Sequence, residues 1–262
     1  MFTKPPHAVD ESLALVEHLL RSAELIAAEQ VLRLRELELY FWSESHPDPF
    51  SHRHPLTREF GRWYIHRTGS GYRSGSFKGL DFAFGHAQAH VGILIRAIEL
   101  PHGSRIEGPS SIVDFLLSRL GLSSPAALDA HIGPLRIWDT DSPLHIRWNE
   151  TPASVTIAQG PRVGLSLKRL AAFPEMPRYL AKPYSLLTDP KLTRKGRATF
   201  AIGLHQQGMD RDRIAALMGL TPSQVEAYLG WYEAGRGEAV TAFAGRNLRV
   251  AEKCRLLGAL DS

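Results

Sequence analysis

The sequence has almost no cysteine and no long apolar run. Cys254 is its single cysteine, which excludes an intramolecular disulfide and any zinc site built from several thiolates. No stretch approaches the roughly 18 to 20 consecutive apolar residues that a bilayer span requires. The first residues, MFTKPPHA, lack the charged head and apolar middle of a secretory signal. We therefore expect a cytoplasmic protein that binds no membrane, and we also expect it to be a monomer.

The composition is that of a globular protein. Of 262 residues, 44% are hydrophobic and 22% are charged, which excludes disordered and collagen-like chains. The net charge of +4 is unevenly distributed: residues 1–190 contain 20 Lys and Arg against 20 Asp and Glu, and residues 191–262 contain 11 against 7. A positive segment of this kind favours a polyanionic partner, most commonly nucleic acid.

A polar, basic stretch around Pro190 indicates a domain boundary. Its sequence is TDPKLTRKGR, which is typical of a linker. We therefore predict one domain over residues 1–190 and a second, small all-α domain over residues 191–262.

Helices and strands follow one another in irregular order in the first domain. Apolar spacing predicts a helix over residues 10–30, beginning at Asp10, and the segment GPSSIVDFLLSRLG predicts another. Strands are predicted at Phe82–Phe84 and at VLRLRELELYFW, VGILIRAIEL, LRIWD and SVTIA. The order indicates an α+β fold with a mixed or antiparallel curved sheet and flanking helices.

The C-terminal domain has the pattern of a helix-turn-helix. Small or apolar residues and a turn glycine recur at the required offsets, at Ala215, Gly219, Val225 and Tyr228. A purely structural three-helix bundle has the same pattern, so both interpretations stay open. If the domain binds DNA, the expected contacts are Arg194, Lys195, Arg197, Ser223 and Gln224.

A carboxylate in the second predicted element has neighbours suited to catalysis. Period-2 alternation places Glu36, Glu38 and Tyr40 on one face of the strand, and His46, His52 and His54 follow in the next loop. Glu38 could act as a general base beside a stacking surface for a planar substrate, although a lone strand carboxylate is more commonly a solvated residue. The histidine spacing matches no zinc pattern and no HExxH occurs, so we expect no metal.

Residues 61–79 combine glycines with cations and aromatic rings. The segment is not a phosphate-binding Walker loop, because Lys78 is followed by Gly79. Exposed amides, cations and rings suit the binding of phosphates while bases unstack, and a glycine-rich hairpin with a solvated rim is the alternative. The expected contacts to DNA in the first domain are Arg67, Arg73, Lys78 and Lys182.

Five segments, in order, resemble the alkyladenine (3-methyladenine) DNA glycosylase family. The segment RELELYFWSESHPDPFSH is similar to its Glu-x-Glu-x-Tyr strand and following loop, ILIRAIEL to its Leu-Leu-Arg-Ala-x-Glu-Pro strand, and GPSSIVDFLL to its Gly-Pro-x-x-Leu helix start. PRVGL and PRYLAKPYSLL resemble two elements near its C-terminus. The resemblance covers roughly residues 10–190.

The resemblance implies a monofunctional DNA glycosylase of base excision repair. Such an enzyme flips a damaged, alkylated purine out of double-stranded DNA and hydrolyses its N-glycosidic bond, leaving an abasic site. Glu38 would then activate water, Arg96 would position that water or Glu38, and Tyr40 and His52 would contact the extruded base. No metal or organic cofactor is implied.

Three departures from the family concern recognition. Asp81 stands where the family usually has an asparagine that excludes the amino group of guanine, and an aspartate would accept a hydrogen bond from that group. Tyr72 is the nearest candidate for the tyrosine that wedges into the minor groove, with Arg73 as the alternative. The C-terminal helix-turn-helix is absent from the usual members.

Arg96 lies within an otherwise apolar strand, where a buried arginine requires a carboxylate partner such as Glu38 or Glu99.

Two other functions stay open. One is a DNA-binding regulator or modified-base sensor built on an inactive glycosylase domain. The other is a glycosylase for hypermodified or RNA bases.

Overall fold

The computed structural model describes residues 4–261, which form two compact units. The N-terminal unit extends to Pro47 and resumes over Ser51–Val155. The C-terminal unit comprises Asp48–Phe50 and the residues from Thr156 onward. The fold is α+β, with a curved antiparallel sheet and flanking helices, as predicted.

The N-terminal unit combines helices with an antiparallel sheet. The elements are α1 (Val9–Ser22), β1 (Ala23–Ala27), β2 (Gln30–Ser43), β3 (His46–Pro47), β4 (Arg62–Ile65), β5 (Arg67–Thr68), β6 (Gly71–Tyr72), β7 (Leu80–Ala83), β8 (Ala89–Glu99), β9 (Arg105–Glu107), α2 (Pro109–Arg119), α3 (Pro125–Ile132) and β10 (Leu144–Trp148). The strand order in the sheet is β10-β1-β2-β8-β7-β4, with β3 beside β2 and β9 beside β8. The short strands β5 and β6 pair separately. Helix α1 packs against β2, and α2 packs against β8.

The predicted helix over residues 10–30 is wrong beyond Ser22. The following residues form β1, which pairs with β2 on one side and β10 on the other. Ala28 and Glu29 adopt φ angles of 44° and 68°, as a tight two-residue hairpin turn requires. Pairing on both edges therefore outweighs the helical pattern of the segment. At the other end, the N-cap is Ala8, and Asp10 lies in the first turn.

The remaining predictions for this unit are mostly confirmed. The structure contains the predicted long strand as β2, the strand around Arg96 as β8 and the helix after Gly108 as α2. The predicted strand LRIWD is wrong, since only Arg136 forms an isolated bridge there, to Arg62. The neighbouring strand is instead β10.

The C-terminal unit combines a β-hairpin with helices. The elements are β11 (Ile157–Gly160), α4 (Met176–Leu180), β12 (Ser185–Thr188), α5 (Arg197–Gln206), α6 (Arg211–Met218), α7 (Pro222–Gly235) and α8 (Val250–Ala259). Strands β11 and β12 pair antiparallel. The predicted strand SVTIA covers residues 154–158, whereas the observed strand β11 begins at Ile157 and ends at Gly160.

The division between the units lies after Val155, not at the predicted boundary after Pro190. The β-hairpin shares one buried core with the helices that follow it, through Ala158, Leu187 and Phe200. A Cβ atom at Gly160 would lie 2.7 Å from the Phe200 ring, so hairpin and α5 are in close contact. Packing therefore joins elements that composition separates.

The two predicted helices and the glycine turn between them are present, as α6 and α7. Gly219 ends α6 in the left-handed conformation, with φ of 59°, which glycine adopts without steric cost. Ala215 and Val225 are buried in the same core. Among residues 4–261, no helix is long and apolar enough to cross a membrane.

Helices α7 and α8 approach so closely that two glycines are required between them. A Cβ at Gly258 would lie 1.9 Å from the carbonyl oxygen of Tyr232, and one at Gly235 would lie 2.0 Å from that of Arg255. Gly230, also in α7, has no atom within 4 Å of the equivalent position.

We expect Gly258→Ala to destabilise the C-terminal unit by about 1–3 kcal/mol, because backbone atoms must separate to admit the methyl group. Gly230→Ala is the matched control, and it should leave stability unchanged or raise it by roughly 0.5–1 kcal/mol through helix propensity. Thermal unfolding followed by circular dichroism measures both. Equal melting temperatures for the two variants would contradict the close packing of α7 and α8.

Candidate functional site

The Glu38 carboxylate is fully enclosed in the N-terminal unit. Its side chain has 0% exposure, and the Arg96 Nε lies 3.4 Å from its Oε1 atom. The Tyr40 hydroxyl donates a hydrogen bond of 2.9 Å to Oε2. Glu38 is therefore a buried carboxylate held by a cation on one oxygen and a phenol on the other, not a solvated surface residue.

Arg96 is shared between two carboxylates. Its Nε lies 3.3 Å from Glu36 Oε1 as well, and all three residues are buried. Burial opposes the positive charge, but Glu38 and Glu36 outweigh it and raise the pKa of Arg96 above its ordinary value. The cluster has two acids and one base, so it keeps a formal charge of −1 when all three are ionised. The predicted pairing of Arg96 with Glu38 is present.

Glu99, the alternative partner of Arg96, is part of a different ion pair. Its carboxylate binds Arg35 at 2.7 Å and Arg105 at 3.4 Å. Burial favours the neutral acid there, but the two guanidinium groups outweigh it and lower the pKa of Glu99. Each buried charge on these strands therefore has a partner of opposite sign.

The sheet register places a row of site residues on one face. Glu38 in β2 lies opposite Leu94 in β8, Leu94 lies opposite Asp81 in β7, and Asp81 lies opposite Tyr64 in β4. Directly opposed residues of antiparallel strands point to the same side. Arg96, two positions from Leu94, shares that side. Predicted residues from separate parts of the sequence thus converge here.

Imidazole and phenol rings continue this row. His66 Nε2 lies 2.7 Å from Asp81 Oδ1, and the His52 and His66 ring centroids are 4.3 Å apart. His54 stacks on Tyr64 with a centroid distance of 5.0 Å. The predicted base-contacting residue His52 therefore lies in a cluster of rings beside Asp81.

Burial keeps His52 neutral. Desolvation, with smaller contributions from His66, Arg73 and His54, lowers the pKa of His52 to about 3. Desolvation and the nearby Asp81 raise the pKa of Tyr64 to about 12. At neutral pH the His52 and Tyr64 rings are therefore uncharged, which suits stacking with a planar heterocycle.

Gly92 makes room for the Asp81 carboxylate. A Cβ at Gly92 would lie 2.8 Å from Asp81 Oδ2, and Gly92 is the register partner of Tyr40. Any side chain at this position would displace Asp81, so the glycine permits the aspartate to extend over β8 toward the strand that holds Tyr40.

The sequence analysis did not identify His66, Tyr64 or Gly92 as part of the site. Tyr64 and His66 alternate in β4 and at its end, which is a period-2 signal that was available in the sequence. Their pairing with Asp81 depends on the β4–β7 register, which no local pattern specifies.

The predicted convergence of three histidines is partial. His46 packs against Phe41, one residue along β2 from Tyr40 and therefore on the opposite face. Trp42 contacts His90. Among residues 4–261, no group of three or more His, Cys, Asp or Glu side chains is arranged to hold a metal ion.

In the glycine-rich segment the predicted cations are engaged internally. Asp129 accepts from both Arg67 and Tyr72, each at 2.7 Å, and Lys78 pairs with Asp114 at 2.8 Å. The Arg73 Nε lies 3.3 Å from the Arg67 carbonyl oxygen.

Phe77 is the freely exposed aromatic residue of this segment. Its exposure is 72%, against partial burial for Tyr72. The Tyr72 ring is also covered by the Arg67 guanidinium at 4.5 Å. The Phe77 ring is therefore more accessible than the Tyr72 ring.

The predicted DNA-reading helix lacks positive charge. Helix α7 contains Glu226 and Glu233 but no Lys or Arg. Gln224 accepts from the Thr221 amide in a capping box, and Ser223 bonds to the Thr221 hydroxyl. These two predicted contacts therefore serve the helix N-terminus in this structure.

The other predicted cations of this unit lie elsewhere. Lys182, Arg194 and Lys195 are exposed. Arg197 donates to the carbonyl oxygens of Met218 and Gly219, where it compensates the negative end of α6.

Comparison with known proteins gives one relative and no family model. No family model matches the chain. An uncharacterized protein of Acanthamoeba polyphaga mimivirus is 30% identical over 171 residues, which cover 59% of this chain and 78% of the relative. Its description assigns no activity.

The lowered pKa of His52 predicts a pH dependence of stability. The unfolded histidine takes up a proton near pH 6.5, but the folded one resists it until about pH 3. Stability is therefore fully present above about pH 6.5 and falls with pH below it, with a slope of up to about 1.4 kcal/mol per pH unit.

Urea unfolding between about pH 4.5 and about pH 7.5 measures this slope. His52→Gln should reduce it, and His131→Gln, at an exposed position of α3, should not. An unchanged slope in the His52 variant would show that the ring is not buried in the neutral form.

Proposed function

The chain belongs to the same family as the uncharacterized mimivirus protein, and from its site geometry we propose that it is a monofunctional DNA glycosylase acting on modified purines. The observation that supports this proposal most is the enclosed Glu38 carboxyl group, held by Arg96 and Tyr40 beside a row of aromatic rings. A buried acid next to a surface for a planar group suits hydrolysis of a bond between a sugar and a base.

Glu38 is proposed to activate the attacking water. The oxygen of that water forms a bond to C1′, the C1′–N bond breaks, and the proton of the water passes to Glu38. The carboxylate also stabilises the positive charge that develops on the sugar. An alkylated, cationic purine leaves with the bonding electron pair as a neutral base, so it needs no separate acid.

Arg96 and Tyr40 are proposed to fix the carboxylate for this step. Arg96 compensates the buried Glu38 and Glu36 carboxyl groups, and removing the cation would take this compensation away in a dry site. The Tyr40 hydroxyl donates a hydrogen bond to Oε2 of Glu38. Glu36 shares the guanidinium, which limits how strongly Arg96 neutralises Glu38.

The ring cluster is proposed to hold the extruded base. Tyr40, His52 and His54 are the partly exposed members, so the entrance is proposed on their side. His66 orients Asp81 by the hydrogen bond at 2.7 Å. Asp81 then presents a carboxylate oxygen that accepts from an exocyclic amino group, in place of an amide that would exclude one.

Phe77 is proposed to fill the space that the flipped nucleotide vacates. An exposed ring in a glycine-rich segment can stack between base pairs at a cost in unstacking that its contacts offset. Arg73 lies near it in sequence and would contact a flanking phosphate, and Lys78 would do so only in exchange for Asp114.

One observation favours a second function, a modified-base sensor. Glu38 has no exposed surface, so catalysis requires that bound DNA open a path to it. A site that binds a modified base without admitting water would bind and not cleave. The same chemistry applied to hypermodified DNA bases or to RNA bases is a further variant.

Base release from alkylated DNA tests the proposal. Duplexes that contain alkylated purines, unmodified duplexes, hypermodified DNA and RNA are incubated with the protein. Released bases are then identified by mass spectrometry. Glu38→Gln should lower the rate by about 10²- to 10⁴-fold, as expected for loss of a general base. Glu44→Gln, the same change at an exposed position, should leave it unchanged.

The outcomes separate the alternatives. Release that persists in Glu38→Gln removes Glu38 from the role. Release only from hypermodified DNA or from RNA changes the substrate. Tight binding of modified duplex without release of any base supports the sensor.

A further inference from the structure

A cavity of about 360 Å³ lies within the C-terminal unit. Its wall comes from the segment after β11, the start of α5 and the residues that lead into α8. The volume falls within the range of about 300–1,000 Å³ typical of small-molecule sites. Arg194 and Arg197, two of the residues predicted to contact DNA, lie in its lining, but the predictions include no small-molecule site here.

The lining of the cavity is strongly positive. Six cationic side chains and no carboxylate line it, namely Arg162, Lys168, Arg194, Arg197, Arg246 and Lys253. Asp48 neutralises Arg162 at 2.7 Å, and Glu252 pairs with Arg246. Of the other lining cations, Arg197 donates to backbone carbonyl oxygens and has no carboxylate partner among the described residues. Lys168 and Lys253 form no ion pair within the described part of the chain.

Charge segregates to this unit as a whole. The C-terminal unit contains 16 Lys and Arg against 10 Asp and Glu, whereas the N-terminal unit contains 15 against 17. The acidic α7 has no part in this excess. Positive charge therefore concentrates at a concave site and is missing from the helix that a helix-turn-helix would place in a DNA groove.

Backbone donors add to the positive potential. The first residues of α5, Arg197 to Thr199, line the cavity, and the first amides of a helix have no acceptor within it. Gly196 precedes them with φ of 74° and gives no side-chain cap. A Cβ there would lie 2.3 Å from Val163, so the glycine lets the start of α5 pack against Val163.

The rest of the lining is apolar and aromatic. Val163, Leu165 and Leu248 form part of the wall, and the partly exposed Tyr228 adds a phenol ring. Cations with helix amides bind phosphate oxygens, and an apolar wall with a ring suits a sugar and a base. An anion without a sugar or a base would contact only the cations and the helix amides.

We propose that the cavity binds a phosphate-bearing ligand of nucleotide size. The phosphate lies against Lys168, Lys253 and the start of α5, and the base lies toward Tyr228. The ligand is either a free nucleotide or a nucleotide at the end of a strand, since both present the same groups. The proposal does not depend on base release by Glu38.

Calorimetric titration of the full-length protein tests it, with ADP, a 5′-phosphorylated hexadeoxynucleotide and inorganic phosphate as separate probes. Lys168→Ala/Lys253→Ala should weaken binding by about 10- to 100-fold, since two charge-assisted contacts are lost. Lys191→Ala/Arg213→Ala removes the same charge from exposed positions outside the lining and should leave affinity within about twofold. Melting temperatures confirm that both variants fold.

Each outcome decides the proposal. Saturable binding of ADP, weakened only in the first variant, supports a free nucleotide, and the same result with the hexadeoxynucleotide alone supports a strand end. Equal weakening in both variants, or no saturable binding of either probe, overturns the site. Inorganic phosphate that binds as tightly as ADP overturns the role of the apolar wall. Base release is measured separately, so failure of this proposal can be distinguished from failure of the proposed glycosylase activity.

Discussion

The ion cluster of Glu36, Arg96 and Glu38 constrains the rest of the N-terminal unit. Three ionised side chains in a dry interior cost several kcal/mol each to desolvate, and only close pairing of opposite charges offsets this. That pairing requires β2 and β8 to keep one register, which extends from Arg33–Glu99 to Ser43–Ala89. The irregularity of the ladder around Glu36 lets both acids reach one guanidinium.

The same register creates the chemistry that we propose. It aligns Glu38 with Asp81 and Tyr64 across four strands, so two carboxyl groups and a set of aromatic rings face one side of the sheet. Burial that makes the acids costly also keeps His52 uncharged. Burial thus accounts for the neutral His52 ring, and the Arg96 guanidinium compensates the two buried acids beside it.

The sequence predicted what local periodicity determines and missed what long-range pairing determines. Alternation in β2 placed Glu38 and Tyr40 correctly, and the apolar setting of Arg96 required a carboxylate partner. The ring cluster at Tyr64 and His66 depends on the β4–β7 register, which turns and side-chain patterns far apart in the chain specify only together. For the same reason β1 was predicted as helix, since its two strand partners are not visible locally. The unit boundary after Val155 depends on the contact of Gly160 with Phe200, which composition does not reveal.

The most direct test of the account is a crystal structure with a DNA duplex in which a cationic pyrrolidine replaces the sugar of the target nucleotide. The account predicts that the ring nitrogen lies within about 4 Å of the Glu38 carboxylate, the range of direct ion pairing, with Phe77 inserted between base pairs. A duplex that binds with every nucleotide stacked in the helix, while Glu38 stays enclosed by Arg96 and Tyr40, would contradict it.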